Sequence, residues 1–378
     1  MIGVISIFLF LLYNIRSNVI TLPFTRYEMR RPYFIIYYND SNSTRAPVSM
    51  NLNTYLPYSI INSNHFTLDT SRIGSDIQIP LEDNDTYFDY RSDIILSDNT
   101  TIVDNYLIYI KKDKIRWISD HGIGLGYHCR NTSFSLIHQL KKNNAINKLQ
   151  YIFEPHSKDG FLHFGGIPNK TQLTSMKYKG SIAINETLPT WGFTLTSMFY
   201  NNNNFDINTS CIIHSGFYDM IYSNEIFQIM LKIYKEEIDN QICTIKKNSA
   251  NGDYLNCNSP DYIKGSISFS INNNNSVIEI NKKDLINGDG GSSFRNNPYK
   301  NEEINKMCML GINFLRLFNY SLFDYDNKRI EFYSNDIKII NTIIKSITVI
   351  MSSLIVSIII NMVNSLLLIY LNLKNKNS

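Results

Sequence analysis

The chain has 378 residues and a formal net charge of +3, from 36 Lys and Arg against 33 Asp and Glu. This length accommodates two lobes of ordinary domain size together with terminal segments. The sequence contains no basic block, so nothing in its charge favours a nucleic-acid-binding protein.

An apolar stretch at residues 2–13 opens the chain and is followed by polar residues, among them Arg16. Its length is typical of the core of a signal peptide and is too short to span a bilayer comfortably. We therefore predict a signal peptide over residues 1–18 and an N-terminal extension or propeptide-like segment over residues 19–47. A buried first strand is the alternative.

The middle of the chain is predicted to be mostly β-structure. Short alternating runs rich in Ile, Tyr, Phe and Thr are separated by Asn, Asp, Ser and Gly. Residues 266–271 and 276–280 alternate cleanly across an Asn-rich turn and predict a hairpin. Apolar residues on one face predict a helix over residues 225–238, and a second short helix is expected over residues 134–141.

One arrangement occurs in both halves of the sequence. Residues 66–71 read Phe-Thr-Leu-Asp-Thr-Ser and are followed by a glycine-rich motif at residues 122–127. Residues 211–216 read Cys-Ile-Ile-His-Ser-Gly and are followed by Met-Leu-Gly-Ile at residues 309–312. Each half thus combines an apolar strand ending in a polar turn with a later strand whose glycine permits close backbone approach. This pattern indicates an internal duplication with the two polar turns facing each other.

Several motifs in order resemble the pepsin-like aspartic peptidases. They are Asp-His-Gly-Ile-Gly-Leu-Gly-Tyr at residues 120–127, a strand ending in Phe-Gly-Gly at 160–166, Thr-Trp-Gly-Phe-Thr-Leu at 190–195, Met-Leu-Gly-Ile-Asn-Phe-Leu-Arg at 309–316, and a closing hairpin at 323–332. The resemblance implies an all-β, two-lobed pepsin-like (acid protease) fold with few short helices. The N-terminal lobe is expected over residues 48–175 and the C-terminal lobe over residues 176–336.

The resemblance also implies a catalytic pair, since two aspartates in this family activate one water. The second-lobe position is occupied by His214, followed by Ser215 and Gly216, so the second catalytic aspartate is missing. In the first lobe the preferred candidate is Asp69.

Supporting positions come from the same motifs. Thr70 and Ser71 complete the preferred first-lobe turn, and Gly124 and Gly311 are the glycines of close approach. A rival first-lobe register places Asn53 at the catalytic position. It gives a more normal spacing before Gly124 but has no acid.

The five cysteines are Cys129, Cys211, Cys243, Cys257 and Cys308, and they are too far apart in the sequence for a zinc ribbon. The resemblance implies a bridge between Cys257 and Cys308, and a bridge between Cys243 and Cys257 competes with it. Several Asn-x-Ser/Thr sequons agree with a glycosylated lumenal body. No cofactor is expected, and the histidines lack metal-ligand spacing.

Residues 346–373 contain no charged residue and are long enough to form a membrane-spanning helix. We expect a single C-terminal span and a short cytosolic tail, residues 374–378, in a protein of the secretory pathway. A tail removed for a lipid anchor is the alternative. Lys374 and Lys376 resemble a retrieval signal for the early secretory pathway.

Three functions follow. The first is a catalytically impaired pseudo-peptidase that binds peptide or protein in the cleft between the lobes. It is favoured because His214, Ser71 and His121 depart from the family pattern, and because the hairpin expected near residues 94–103 lacks the Tyr-Gly pair of the family's flap. The second is an active aspartic-type endopeptidase with an Asp69/His214 pair. The third is a structural membrane glycoprotein.

Overall fold

The computed structural model describes most of the chain between residues 19 and 334. The described residues are 19–25, 33–39, 45–62, 73–78, 86–98, 101–111, 121–127, 135–156, 159–168, 176–188, 190–217, 219–248, 252–258, 262–271, 276–286, 294–298 and 305–334. The segments predicted as a signal peptide, membrane span and cytosolic tail lie outside them. None of the helices within the described part of the chain has the length and apolar character needed to cross a bilayer.

Strands dominate the described residues, as the alternating sequence predicts. They are β1 (Ile20–Thr25), β2 (Tyr33–Asn39), β3 (Arg45–Asn53), β4 (Ile60–Asn62), β5 (Ile73–Gln78), β6 (Thr86–Ile95), β7 (Ile102–Lys111), β8 (His121–Gly124), β9 (Gln150–Pro155), β10 (Asp159–Phe164), β11 (Lys177–Ala183), β12 (Gly192–Tyr200), β13 (Asn203–Ile213), β14 (Met220–Tyr222), β15 (Cys243–Lys246), β16 (Tyr254–Cys257), β17 (Ser266–Ile271), β18 (Ser276–Asn281), β19 (Phe294–Asn296), β20 (Cys308–Leu310), β21 (Tyr320–Asp324) and β22 (Arg329–Ser334).

The helices are few and short. They are α1 (Leu136–Lys142), α2 (Asn224–Ile233), α3 (Lys235–Asp239) and α4 (Ile312–Leu315), with a 3₁₀ helix at Lys282–Leu285. The helix expected over residues 225–238 is present as α2 and α3. Ser223 caps α2 by accepting a hydrogen bond from the backbone N–H of Ile226, and the chain leaves helical geometry at Tyr234, where ψ is 14°. The all-β prediction with few short helices is confirmed.

The strands form two sheets. The larger has 13 strands in the order β11-β22-β21-β9-β10-β1-β2-β3-β8-β4-β7-β6-β5, and the smaller has nine in the order β15-β16-β19-β14-β20-β13-β12-β17-β18. The predicted hairpin of β17 and β18 is present, with Ile267 opposite Ile280. The hairpin at residues 94–103 is also present, with Ile94 opposite Val103.

Strands from the two halves of the chain meet in the larger sheet. Antiparallel pairing joins β9 to β21, with Ile152 opposite Leu322. Above this junction, the indole Nε1 of Trp191 and the hydroxyl of Tyr325 both donate to the backbone oxygen of Leu125, each at 2.7 Å. The hydroxyl of Tyr151, in the first half, donates to the same oxygen at 3.4 Å. The two shorter hydrogen bonds to this buried carbonyl come from the second half and join the two halves.

Two disulfides lie in the second half, and they correct the bridge implied by the family resemblance. Cys211 is bonded to Cys308, and Cys243 is bonded to Cys257. The reason is strand register: Cys211 and Cys308 are paired neighbours on parallel strands β13 and β20, and Cys243 and Cys257 face each other across β15 and β16. The expected Cys257–Cys308 bridge is wrong.

Candidate functional site

The first polar turn begins where β3 ends. The end of β3 runs parallel to β8, with Leu52 opposite Ile123 and Asn53 opposite Gly124. A Cβ atom at Gly124 would lie only 2.3 Å from the backbone oxygen of Pro57. Only glycine permits this approach, which places the turn at residues 53–56 directly against β8.

The second polar turn is built in the same way. The strand β13 runs parallel to β20, with Ile213 opposite Leu310. The backbone N–H of His214 donates to the oxygen of Leu310 at 3.0 Å, and that of Ile312 donates to Phe217 at 2.9 Å. Gly311 stands between these contacts as the N-cap of α4. The second copy of the strand-and-turn arrangement inferred from the sequence therefore lies at His214, Ser215 and Gly216.

The two turns interlock through buried hydroxyl groups. The backbone N–H of Thr54 donates to Oγ of Ser215 at 2.9 Å, and the N–H of Ser215 donates to Oγ1 of Thr54 at 2.8 Å. Each hydroxyl then donates across the boundary, from Thr54 to the oxygen of Ile213 at 3.1 Å and from Ser215 to that of Leu52 at 2.6 Å. The arrangement has approximate two-fold symmetry, so Thr54 and Ser215 are equivalent positions, and so are Asn53 and His214.

This equivalence favours the rival first-lobe register over the one preferred from the sequence. Asp69, Thr70 and Ser71 lie outside the described residues. The turn that faces His214 and Ser215 is instead Asn53-Thr54-Tyr55, which is the rival register. The physical reason is the parallel pairing of β3 with β8, which brings Asn53 to Gly124.

The side chain of Asn53 is held by its own turn. Its Oδ1 accepts hydrogen bonds from the backbone N–H groups of Tyr55 and Leu56, each at 3.0 Å. This is an Asx turn, and it would form equally well with an aspartate at this position. The scaffold for a carboxylate is thus retained, but the residue is a neutral amide.

His214 is held in a comparable way. Its Nδ1 accepts a hydrogen bond from the backbone N–H of Gly216 at 3.0 Å, which places the ring proton on Nε2. The imidazole stacks on Tyr55, with ring centroids 4.8 Å apart and an interplanar angle of 6°, and packs against Phe217 at 4.5 Å. Tyr55 occupies the position equivalent to Gly216, so an aromatic ring replaces a glycine at the third position of the first turn.

A carboxylate, Asp219, does follow the second turn, but it pairs with an arginine on β19. Asp219 forms an ion pair with Arg295, whose guanidinium also lies over the ring of Tyr254. Burial raises the pKa of Asp219, and Arg295 opposes this increase. We therefore assign Asp219 a structural role. No group of His, Cys, Asp and Glu in the described part of the chain could hold a metal ion.

The sequence contained a weak signal for Asn53, Thr54 and Tyr55. Val48, Met50 and Leu52 alternate as buried residues along β3 and lead into the turn. The sequence favoured Asp69 over this turn because the turn has no acid and its flanking residues fit the family pattern poorly. At this site, two interlocked turns of pepsin type thus present Asn53 and His214 where the chemistry requires two carboxylates.

The chain is similar to known proteins in sequence and in fold. The family model described as eukaryotic aspartyl protease matches residues 72–334. No curated protein sequence matches the chain.

Among solved structures, the aspartic proteinase from Irpex lacteus is similar with a TM-score of 0.61 and 16% identity, over 84% of this chain and 98% of that one. Basic 7S globulin from soybean is similar with a TM-score of 0.60 and 14% identity, over 84% and 95% of the two chains. Conglutin gamma, a basic 7S globulin from lupine seeds, has a TM-score of 0.61 and 14% identity, over 86% and 97%.

At such low identity the solved structures establish the fold alone, whereas the family model covers more than half of the chain. Together with the duplicated strand-and-turn arrangement, this match shows that the chain belongs to the eukaryotic aspartyl protease family.

Proposed function

We propose that this protein is a pseudo-peptidase: it keeps the pepsin-like scaffold, lacks efficient peptidase activity, and binds peptide or protein in the cleft between its lobes. The observation that carries the proposal is the pair Asn53 and His214 at the two equivalent turn positions. Peptide hydrolysis in this family needs one carboxylate to accept a proton from water while the other, protonated, donates to the carbonyl. An amide cannot accept that proton, and His214 directs Nδ1 toward Gly216.

The retained polar turns support a binding function rather than the loss of every function. Thr54 and Ser215 keep their reciprocal hydrogen bonds, and Asn53 keeps the turn that would hold a carboxylate. Solved relatives include an aspartic proteinase and proteins named as globulins, so the fold alone does not decide activity.

We also propose that the protein is a membrane glycoprotein of the secretory pathway with a lumenal body. Two disulfides among the described residues support this location, because such bonds persist mainly in oxidising compartments. Removal of N-linked glycans should increase electrophoretic mobility, and the protein should resist extraction from membranes by alkaline carbonate. Replacement of Lys374 and Lys376 by serine should release it from the early secretory pathway if these lysines act in retrieval.

The test of the pseudo-peptidase proposal is cleavage of denatured casein by the purified full chain between about pH 4 and 7, the range in which a carboxyl pair would work. We expect no cleavage by the native protein and a gain of cleavage in Asn53→Asp/His214→Asp. If the double variant is inactive, Tyr55→Gly is added to it to restore the glycine at the third turn position. The matched control Asn53→Asp/His214→Asn restores a single carboxylate and should stay inactive.

A different result would favour the alternative function. Cleavage by the native chain that is lost in Asp69→Asn and in His214→Asn would establish an active endopeptidase with an Asp69/His214 pair. The pseudo-peptidase proposal would then be overturned.

A further inference from the structure

At the first turn, Asn53 offers a hydrogen-bond donor where a catalytic aspartate would offer an acceptor. Both lone pairs of the Asn53 Oδ1 atom are used by the backbone N–H groups of Tyr55 and Leu56. The remaining polar atom, Nδ2, is a donor only. Among the described residues, none accepts a hydrogen bond from it. A catalytic carboxylate would offer an acceptor at the same place.

The surroundings of this amide leave room for a ligand. Gly122 lies on β8 opposite Asn51, and a Cβ atom added there would lie 3.7 Å from Cβ and 3.8 Å from Nδ2 of Asn53. Because glycine has no side chain, Gly122 presents only its backbone to the amide. Asn53 and Gly122 are both partly exposed.

Tyr55, in the same turn as Asn53, belongs to an apolar surface. The imidazole of His214 lies between Tyr55 and Phe217. Tyr55, Phe217, Leu188 and Met307 are all partly buried and pack over a small buried cluster of the second half, which consists of Ile212, Ile221 and Met309. None of these side chains carries a negative charge, so the surface does not repel an anion.

We propose that Asn53 and the adjoining surface of Tyr55, Phe217, Leu188 and Met307 form a subsite for a peptide carboxylate flanked by apolar side chains. This inference rests on the proposed function, since it assumes that the chain binds peptide. A hydrogen bond from an amide to a carboxylate is charge-assisted and is stronger than one to a neutral carbonyl. Partial exclusion of water by the apolar side chains strengthens it further. The carboxylate comes either from an Asp or Glu side chain or from the C-terminus of the peptide.

Three synthetic peptides test the proposal with the purified full chain. The first is acetyl-Leu-Phe-Glu-Phe-Leu-amide, the second carries Gln in place of Glu, and the third is the Gln peptide with a free C-terminal carboxylate. Binding is measured by displacement of a fluorescein-labelled copy of the first peptide. We expect at least one carboxylate peptide to bind about tenfold more tightly than the Gln amide, as one charge-assisted hydrogen bond allows. The tighter of the two identifies the source of the carboxylate.

The variant Asn53→Asp assigns the effect to this site. Aspartate has nearly the same size and keeps the two hydrogen bonds from Tyr55 and Leu56, but it places a negative charge where Nδ2 was. This variant should bind the carboxylate peptide about tenfold more weakly than the native chain does, and its affinity for the Gln amide peptide should be unchanged. Asn258→Asp, at an exposed position after β16, adds the same charge elsewhere and should retain the preference.

The outcomes separate the inference from the proposed function. If all three peptides bind the native chain equally, the carboxylate subsite is overturned while peptide binding stands. A preference that persists in Asn53→Asp would show that the carboxylate binds elsewhere and would also overturn the assignment. Failure of every peptide to bind would remove both the inference and the peptide-binding function on which it rests.

Discussion

Thr54 and Ser215 each donate a backbone N–H to the other's hydroxyl, at 2.9 and 2.8 Å, although 161 residues separate them in the chain. Both residues are buried, at 3% and 1% exposure. The contact joins the two halves of the fold directly beneath Asn53 and His214, so it determines how those two side chains are placed.

We predict that Thr54→Val destabilises the protein by about 2–4 kcal/mol. Valine has the same shape, but it leaves the N–H of Ser215 and the oxygen of Ile213 buried without their partner, at about 1–3 kcal/mol each. The free energy of unfolding in urea measures the loss. Thr187→Val is the matched control, because Thr187 is exposed and its hydroxyl bonds to Asn185 alone among the described residues, so it should change stability by no more than about 0.5 kcal/mol. Equal losses in both variants would contradict the structural role of Thr54.

The buried ion pair of Lys282 and Glu237 gives a second prediction. Lys282 is fully buried, and its Nζ donates to Oε1 of Glu237 at 2.7 Å and lies 4.7 Å from the ring centroids of Tyr200 and Tyr234. Lys282→Met leaves the carboxylate buried without its partner and should cost about 3–5 kcal/mol. The double variant Lys282→Met/Glu237→Leu should recover most of this loss in the same unfolding experiment.

An exposed pair provides the comparison for Lys282. Lys235 and Asp239 lie 2.6 Å apart with exposures of 71% and 58%. Solvent screens such a pair, so Lys235→Met should change stability by about 0.5 kcal/mol or less. If Lys282→Met is as mild as Lys235→Met, the buried lysine contributes little and the prediction is wrong.

The second-lobe turn could be read from the sequence, whereas the first could not. At residues 211–216 an apolar strand runs into a polar turn at the expected spacing from Gly311. In the first half, Leu-Asp-Thr at residues 68–70 supplies the residue type that the chemistry needs, and Asn53 does not. The contacts that decide between these registers, Thr54 with Ser215 and β3 with β8, join residues far apart in the chain and leave no local pattern.

The disulfide connectivity could not be predicted from the sequence for the same reason. Which cysteines meet depends on strand register, and register is set by long-range pairing. Cys257 could be assigned to either of two partners from spacing alone. The antiparallel pairing of β15 with β16 gives it to Cys243, and the parallel pairing of β13 with β20 leaves Cys308 to Cys211.

The two disulfides are predicted to contribute unequally to stability. The bond between Cys211 and Cys308 closes a sequence separation of 97, and that between Cys243 and Cys257 closes one of 14. In the chain-entropy model a loop of this longer length stabilises by about 4.7 kcal/mol and the shorter one by about 3 kcal/mol. Cys211→Ala/Cys308→Ala should therefore lower the free energy of unfolding more than Cys243→Ala/Cys257→Ala, by roughly 1–2 kcal/mol. The opposite order would show that native-state contacts outweigh loop closure.

Glu154 lies on β9 and, through His163, links β9 and β10 to β1. Its Oε2 accepts a hydrogen bond from Nε2 of His163 at 2.7 Å, and Nδ1 of His163 is bonded to the hydroxyl of Thr21 at 2.9 Å. The second carboxylate oxygen, Oε1, is 3.2 Å from Nε2 of His156. Because Thr21 lies on β1 and His163 on β10, the carboxylate anchors a chain of contacts across three strands.

This network predicts a pH-dependent contribution to stability. Burial raises the pKa of Glu154, but the hydrogen bonds from His163 and His156 outweigh burial and hold the pKa below its ordinary value of 4.5. A carboxylate with a lowered pKa in the folded state stabilises the protein above that ordinary value, and the contribution is lost as the pH falls through the lowered pKa. Glu154→Gln should thus cost about 1–3 kcal/mol at pH 7 and progressively less toward pH 3, measured by urea unfolding at each pH. Glu186→Gln, which removes an exposed charge beside Lys328, should cost little at either pH. A loss in Glu154→Gln that is the same at pH 7 and pH 3 would mean that packing, and not the ionised carboxylate, holds β1 to the sheet.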